Sequence, residues 1–151
     1  MNNIFLKIKL LGSLFFIKKK MTVEDVLVLS TNKNITSTIS SSFDLLKQYS
    51  NRNVSWIGLV KNSINFLFVN HAHDQNVVFY RPKIVCVYDP YINKSSPLFF
   101  ASMLVRWASI LQDNLDYDSA EAKKKQLDFL SSVATIESEE IIKHLRKHYA
   151  M

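Results

Sequence analysis

His71 and His73 stand two residues apart with Asp74 beside them, in the segment HAHDQN. If the preceding strand runs on through them, its alternation puts both imidazoles on one side, which is how some metal sites begin. Two imidazoles leave a metal half coordinated, so a further ligand must come from elsewhere; Asp89, Asp113 and Asp116 are candidates, though no spacing demands any of them. The set expected on this reading is His71, His73 and Asp89, serving a metal or a small hydrolase or other metal-dependent enzyme. The plainer reading is a polar connection that exposes two histidines.

Cys86 is the single cysteine, inside the apolar run from Ile84 to Tyr88. A thiol there behaves as a small hydrophobe rather than a nucleophile. It has no internal disulfide partner, which favours a reducing compartment, cytoplasm or nucleus. Arg106 is the only charge between Leu98 and Leu111, so its stem is expected along apolar neighbours with its head at water or an internal acid. A basic set, Lys123, Lys124, Lys125, Lys143, Arg146 and Lys147, falls on the last two helices and would serve nucleic acid only if it converged on one face.

Several chemistries are excluded by spacing or composition. The only glycines are Gly12 and Gly58, so neither a phosphate-binding loop nor a dinucleotide fingerprint can be written. There is no HExxH, no EF-hand pattern, no G-x-S-x-G elbow and no kinase signature. Nothing in the sequence asks for a cofactor. The order of helix, tryptophan-bearing strand, His71, and a strand ending in Tyr88-Asp89-Pro90 resembles the histidine and aspartate portion of ubiquitin-like-protein-specific cysteine proteases. That family has an aromatic after the histidine and its nucleophilic cysteine downstream; here Ala72 follows His71 and no cysteine follows Cys86. The resemblance implies no membership and no protease activity.

The formal charge of +6 is unevenly distributed. Lys7, Lys9, Lys18, Lys19 and Lys20 lie before Met21 with no acidic residue among them, leaving 14 basic and 13 acidic residues in the remainder. A nearly neutral body carries no global footprint for a phosphate backbone. The leader, residues 1–20, has an uncharged run only from Leu10 to Ile17, about 12 Å as a helix against the roughly 30 Å of a bilayer core. It cannot span. Lysines after the run, in place of small residues, argue against a cleaved signal. It is read as a disordered arm or upstream extension, with peripheral membrane contact through residues 1–20 as the alternative.

The elements that must position these residues follow from periodicity. Val26 to Leu29 reads as a buried strand, and Ile35, Ile39, Phe43, Leu46 and Tyr49 fall at helical spacing. Val54 to Lys61 and Ile64 to Asn70 are branched and aromatic and read as two strands joined at Asn62-Ser63. Val77 to Tyr80 and Lys83 to Tyr88 continue the meander. Ser96-Pro97 opens an almost wholly apolar helix, Asp118-Ser119-Ala120-Glu121 a second, and Thr135 a third whose early glutamates and late basic residues suit the helix dipole.

The expected fold for residues 21–151 is therefore a single α+β domain: a mostly antiparallel sheet of four to five strands against one N-terminal and about three C-terminal helices. With no complete catalytic set, the function expected is a non-enzymatic interaction or assembly accessory protein with a protein partner. Abundant asparagine, lysine, isoleucine and serine suit AT-rich coding, such as that of a virus.

Overall fold

Short runs of branched residues bounded by polar ones make the strands, and 3.6-residue spacing makes the helices. The computed structural model describes Gly12 and residues 17–70, 76–80, 83–88 and 94–149. Strands β1 (Lys19–Val23), β2 (Val26–Ser30), β3 (Phe66–Asn70), β4 (Asn76–Tyr80) and β5 (Ile84–Tyr88) form one sheet in the order β1-β2-β3-β5-β4. The helices are α1 (Thr36–Gln48), α2 (Trp56–Ser63), α3 (Pro97–Gln112), α4 (Ala120–Val133) and α5 (Ile136–Tyr149). The α+β class and the single layered body are as expected. No helix among the described residues is long and apolar enough to cross a membrane.

The sheet is mixed rather than mostly antiparallel, because β2, β3 and β5 run parallel while β1 and β4 pair antiparallel at the two edges. Two connections cause this. The chain leaves β2 and returns to β3 through α1 and α2, and a crossover of that length joins parallel neighbours. It then reaches β5 by way of β4, which takes the outer position and leaves β5 beside β3. A simple meander would have paired β3 with β4.

Val54 to Lys61 is not a strand. Ser55 caps α2 by accepting a hydrogen bond from the Gly58 N–H at 3.1 Å, and Trp56, Val60 and Ser63 are its buried face. Asn62-Ser63 is that helix's last turn, not a hairpin. This gives five helices among the described residues, where about four were expected.

Strand β1 was not expected, and it takes in Lys19 and Lys20 of the leader; residues 1–11 and 13–16 lie outside the described residues. Its turn into β2 is Glu24-Asp25, both at positive φ (49° and 68°), the left-handed pair that a two-residue hairpin of this twist needs. Without glycine there, ion pairs help hold it: Lys47 and Lys61 both reach Glu24, and Lys61 lies 3.2 Å from Asp25.

Helix α3 is the centre of the helical layer, packing on α1, α2 and α4. Its start is fixed as expected, with Ser96 accepting from the Phe99 N–H at 3.1 Å and Pro97 at the first turn. Ser42, buried on α1, donates to the Thr38 and Pro97 carbonyls, so a polar side chain in the interface is satisfied.

Two apolar clusters sit on the two faces of the sheet. Val26, Val28, Leu67, Val69, Val85 and Val87 join the helices in the main core, with Ile39, Phe43, Leu104 and Phe129 among the partners. The alternate residues Leu29, Phe68, Cys86 and Tyr88 form a second, buried cluster on the other face, to which α1–α5 contribute no residue. Ile17, just before β1, packs there.

Candidate functional sites

His71, His73 and Asp89 lie outside the described residues. The described strand ends that precede them in sequence are Asn70 and Tyr88. Asn70, the last residue of β3, and Tyr88, the last of β5, are register partners on adjacent parallel strands. The Thr31 hydroxyl, just beyond β2, donates to Asn70 Oδ1 at 2.9 Å, so the carboxyl ends of all three parallel strands meet at one polar end of the sheet. In open sheets with parallel strands this is the end where ligands bind. Among the described residues no three His, Cys, Asp or Glu groups come close enough to hold a metal.

The basic set is divided. Lys123 lies 3.3 Å from Asp118 and 5.1 Å from the centre of the Tyr149 ring, and Lys125 bonds Asp113 at 2.6 Å. Those two heads are engaged within the fold. Lys124, Lys143, Arg146 and Lys147 are exposed, and Lys143 and Arg146 line a shallow groove with Glu139 and Ile142. Acidic residues thus interrupt the positive surface of α5. Asp113 is the partner of Lys125, and Asp116 makes a turn by accepting from the Ser119 N–H at 3.0 Å.

Arg106 is 5% exposed. Nη2 donates to the Tyr117 carbonyl at 2.7 Å, Nη1 donates to the Tyr149 hydroxyl at 3.1 Å, and Asp118 stands at 3.9 Å as an ion-pair partner. The guanidinium lies 4.6 Å from the centre of the Tyr117 ring and 5.3 Å from that of Tyr149, a cation–π arrangement. The Tyr149 hydroxyl in turn donates to Gln126 Oε1 at 2.5 Å, and Gln126 Nε2 donates to Ser102 Oγ at 3.0 Å. Burial pushes the Tyr149 phenol above its usual pKa. The network fastens together α3, α4, α5 and the loop between α3 and α4.

An open groove of ≈ 390 Å³ lies between α1 and the junction of α4 with α5. Leu45, Tyr49, Leu98 and Val133 give it an apolar lining, and Asp44, Gln48 and Glu137 give it a polar, acidic one. The junction is shaped by Ala134, which ends α4 in the left-handed conformation at φ 51°. Thr135 and Ser138 then cap α5 reciprocally, Ser138 Oγ accepting from the Thr135 N–H at 2.8 Å and Thr135 Oγ1 from the Ser138 N–H at 3.2 Å. Ile136, between the lining residues Thr135 and Glu137 in sequence, is left 80% exposed. Sequence reasoning missed this site because it is made by three separated segments; the one local sign was an isoleucine on the polar side of α5.

No protein-family model, no curated protein and no solved structure matches the chain.

Proposed function

We propose that the protein is a non-enzymatic interaction or assembly accessory subunit whose partner docks at the groove between α1 and the start of α5. The observation that carries this reading is Ile136. Among the described residues the large exposed apolar side chains are Val54, Tyr117 and Ile136, and Ile136 is by far the most exposed, at 80%. In sequence it stands between Thr135 and Glu137, two residues of a lining that is apolar at Leu45, Leu98 and Val133 and acidic at Asp44 and Glu137. Such a surface suits an apolar side chain carried on a helix or strand with basic flanks, the helix-in-groove mode of recognition. With Lys123 and Lys125 engaged internally, this groove is a better binding surface than the basic face of α4 and α5.

The test compares the full chain with Leu45→Arg and Ile136→Asp in capture experiments from its native cell, with circular dichroism confirming that each variant is folded. A partner retained by wild type and lost by both variants supports the reading. Identical partner sets for all three proteins sink it.

A second reading, a metal-dependent hydrolase using His71, His73 and Asp89, is favoured by the pairing of Asn70 with Tyr88, which brings the flanks of His71 and Asp89 to one end of the sheet. Metal analysis of protein purified at neutral pH, alongside Asp89→Asn, tests it. Equal metal content in both proteins, or none in either, removes it.

A further inference from the structure

The chain has four histidines. One pair, His144 and His148, is placed by regular helix. The two are four residues apart on α5, so their side chains leave the same face one turn apart. Both are exposed, and their imidazoles are already side by side, with ring centres 4.3 Å apart and planes at 63°. Leu145 between them is buried and anchors this part of the helix.

From this geometry we propose that His144 and His148 form a two-ligand site for a borderline divalent transition metal of the zinc, nickel or copper type. Imidazole nitrogens bind such ions at about 2.0–2.1 Å, and two imidazoles from adjacent turns of one helix reach one ion without moving the backbone. Ring contact is the arrangement from which a small change in side-chain torsion brings both nitrogens to a common metal. The pair lies in the last two turns of α5, where the helix dipole favours a cation. Glu140 stands one further turn back, exposed and in line with both, and offsets part of the charge of Lys143, Arg146 and Lys147. Among the described residues no third ligand group joins the pair, so the site offers two protein ligands and leaves the other positions to solvent or a further ligand. The site is therefore open and exchangeable, unlike a closed structural zinc centre. It does not depend on the groove between α1 and α5 or on the polar end of the sheet.

The experiment is a titration of the metal-free full chain with zinc chloride, following the histidine ring proton resonances, on wild type, His144→Ala and His148→Ala. The variants assign the two resonances and replace exposed side chains only. In wild type the two should shift together at a one-to-one stoichiometry. Loss of either histidine removes the second ligand from the same ion, and the affinity at the remaining one should fall by about 10²-fold, the gain that linking two weak ligands ordinarily brings. Absence of any shift of these two resonances at millimolar zinc overturns the proposal. So does equal zinc affinity at the remaining histidine in a single variant and in wild type. Binding at His71 and His73 would appear as movement of the other two resonances and, without movement of the assigned pair, also counts against it.

Discussion

Arg106 on α3 donates a hydrogen bond to the Tyr149 hydroxyl at 3.1 Å, across 43 residues of sequence, and the same hydroxyl donates to Gln126 on α4. This is where the last turn of the C-terminal helix is fastened. Helix α5 packs mainly on α4 and has only Ser138 and Leu145 fully buried, so polar contacts must supply part of its attachment. Tyr149→Phe keeps the ring beneath Arg106 and Lys123 but strands Gln126 Oε1 without its donor. The expected cost is about 1–2 kcal/mol, measured by urea unfolding. Combined with Arg106→Met the two losses should be less than additive, because each variant removes the same bond. Full additivity would show that the hydroxyl is not coupled to the guanidinium.

Glu24 predicts a pH dependence at the β1–β2 turn. The hydrogen bond from Lys47 holds its carboxyl below the ordinary carboxylate value, with Lys61 acting in the same direction. The Lys61 ammonium, bonded chiefly to Asp25, is raised. A lowered acid stabilises the folded chain above its unfolded pKa, and that contribution is lost as pH falls through the folded one. A raised base stabilises below its unfolded pKa and loses the contribution as pH rises through the folded value. The difference in Tm between wild type and Glu24→Gln should therefore be largest near neutrality and shrink on acidification. A constant difference across that range would mean the turn is held by its backbone alone.

Local signals were legible where one segment carried its own explanation. Ser96-Pro97 announced α3, and Ile35, Ile39, Phe43 and Leu46 announced α1, because a cap or a spacing is complete within a dozen residues. Helix α2 was hidden because Trp56, Ile57 and Val60 are residues that strands also prefer, and at eight residues only its cap at Ser55 and the buried spacing of Trp56, Val60 and Ser63 decide for helix. Strand β1 shows almost no apolar alternation, since it is a largely exposed edge. The mixed sheet was not legible at all: that β5 returns between β3 and β4 is a long-range pairing choice that leaves no local mark. Of the sites, the His144–His148 spacing stood in the sequence, yet the charge gradient of α5 explained the region well enough to conceal it. The α1–α5 groove is built from three segments far apart in sequence and leaves no local pattern.

Cys86 provides a reporter for the second face of the sheet. It is fully buried with Phe68, and burial pushes its thiol up to about 12. The thiolate is the reactive form, so the native chain should be inert to a disulfide reagent at pH 8 and should titrate one thiol per chain once unfolded. A raised thiol pKa of this kind also works against the fold in alkali, because the unfolded thiol ionises first. Reaction in the native buffer at the rate of a free thiol would mean that the face opens without global unfolding. Phe68→Ala should bring the native protein closer to that behaviour and cost roughly 3–5 kcal/mol, as removal of a fully buried aromatic does.

Ala134 sets the angle between α4 and α5, and with it the width of the proposed docking groove. It ends α4 at φ 51°, ψ 45°, a conformation that costs a residue with a Cβ roughly 1–2 kcal/mol and a glycine almost nothing. Its N–H bonds the Leu130 carbonyl at 3.4 Å, so the backbone geometry is part of the helix cap and should survive substitution. Ala134→Gly should therefore raise stability by about 0.5–1 kcal/mol, the relief of strain being partly offset by the greater freedom of glycine in the unfolded chain. For a domain of this length that corresponds to roughly 2–4 °C in Tm at the upper end. Ala134→Val should move Tm the other way, since a branched side chain is poorly tolerated at positive φ. If the groove is the docking surface, Ala134→Gly should leave partner capture intact, whereas Ala134→Val should weaken it together with stability. A glycine variant less stable than wild type would show that the Ala134 methyl contributes packing at the junction that outweighs its strain.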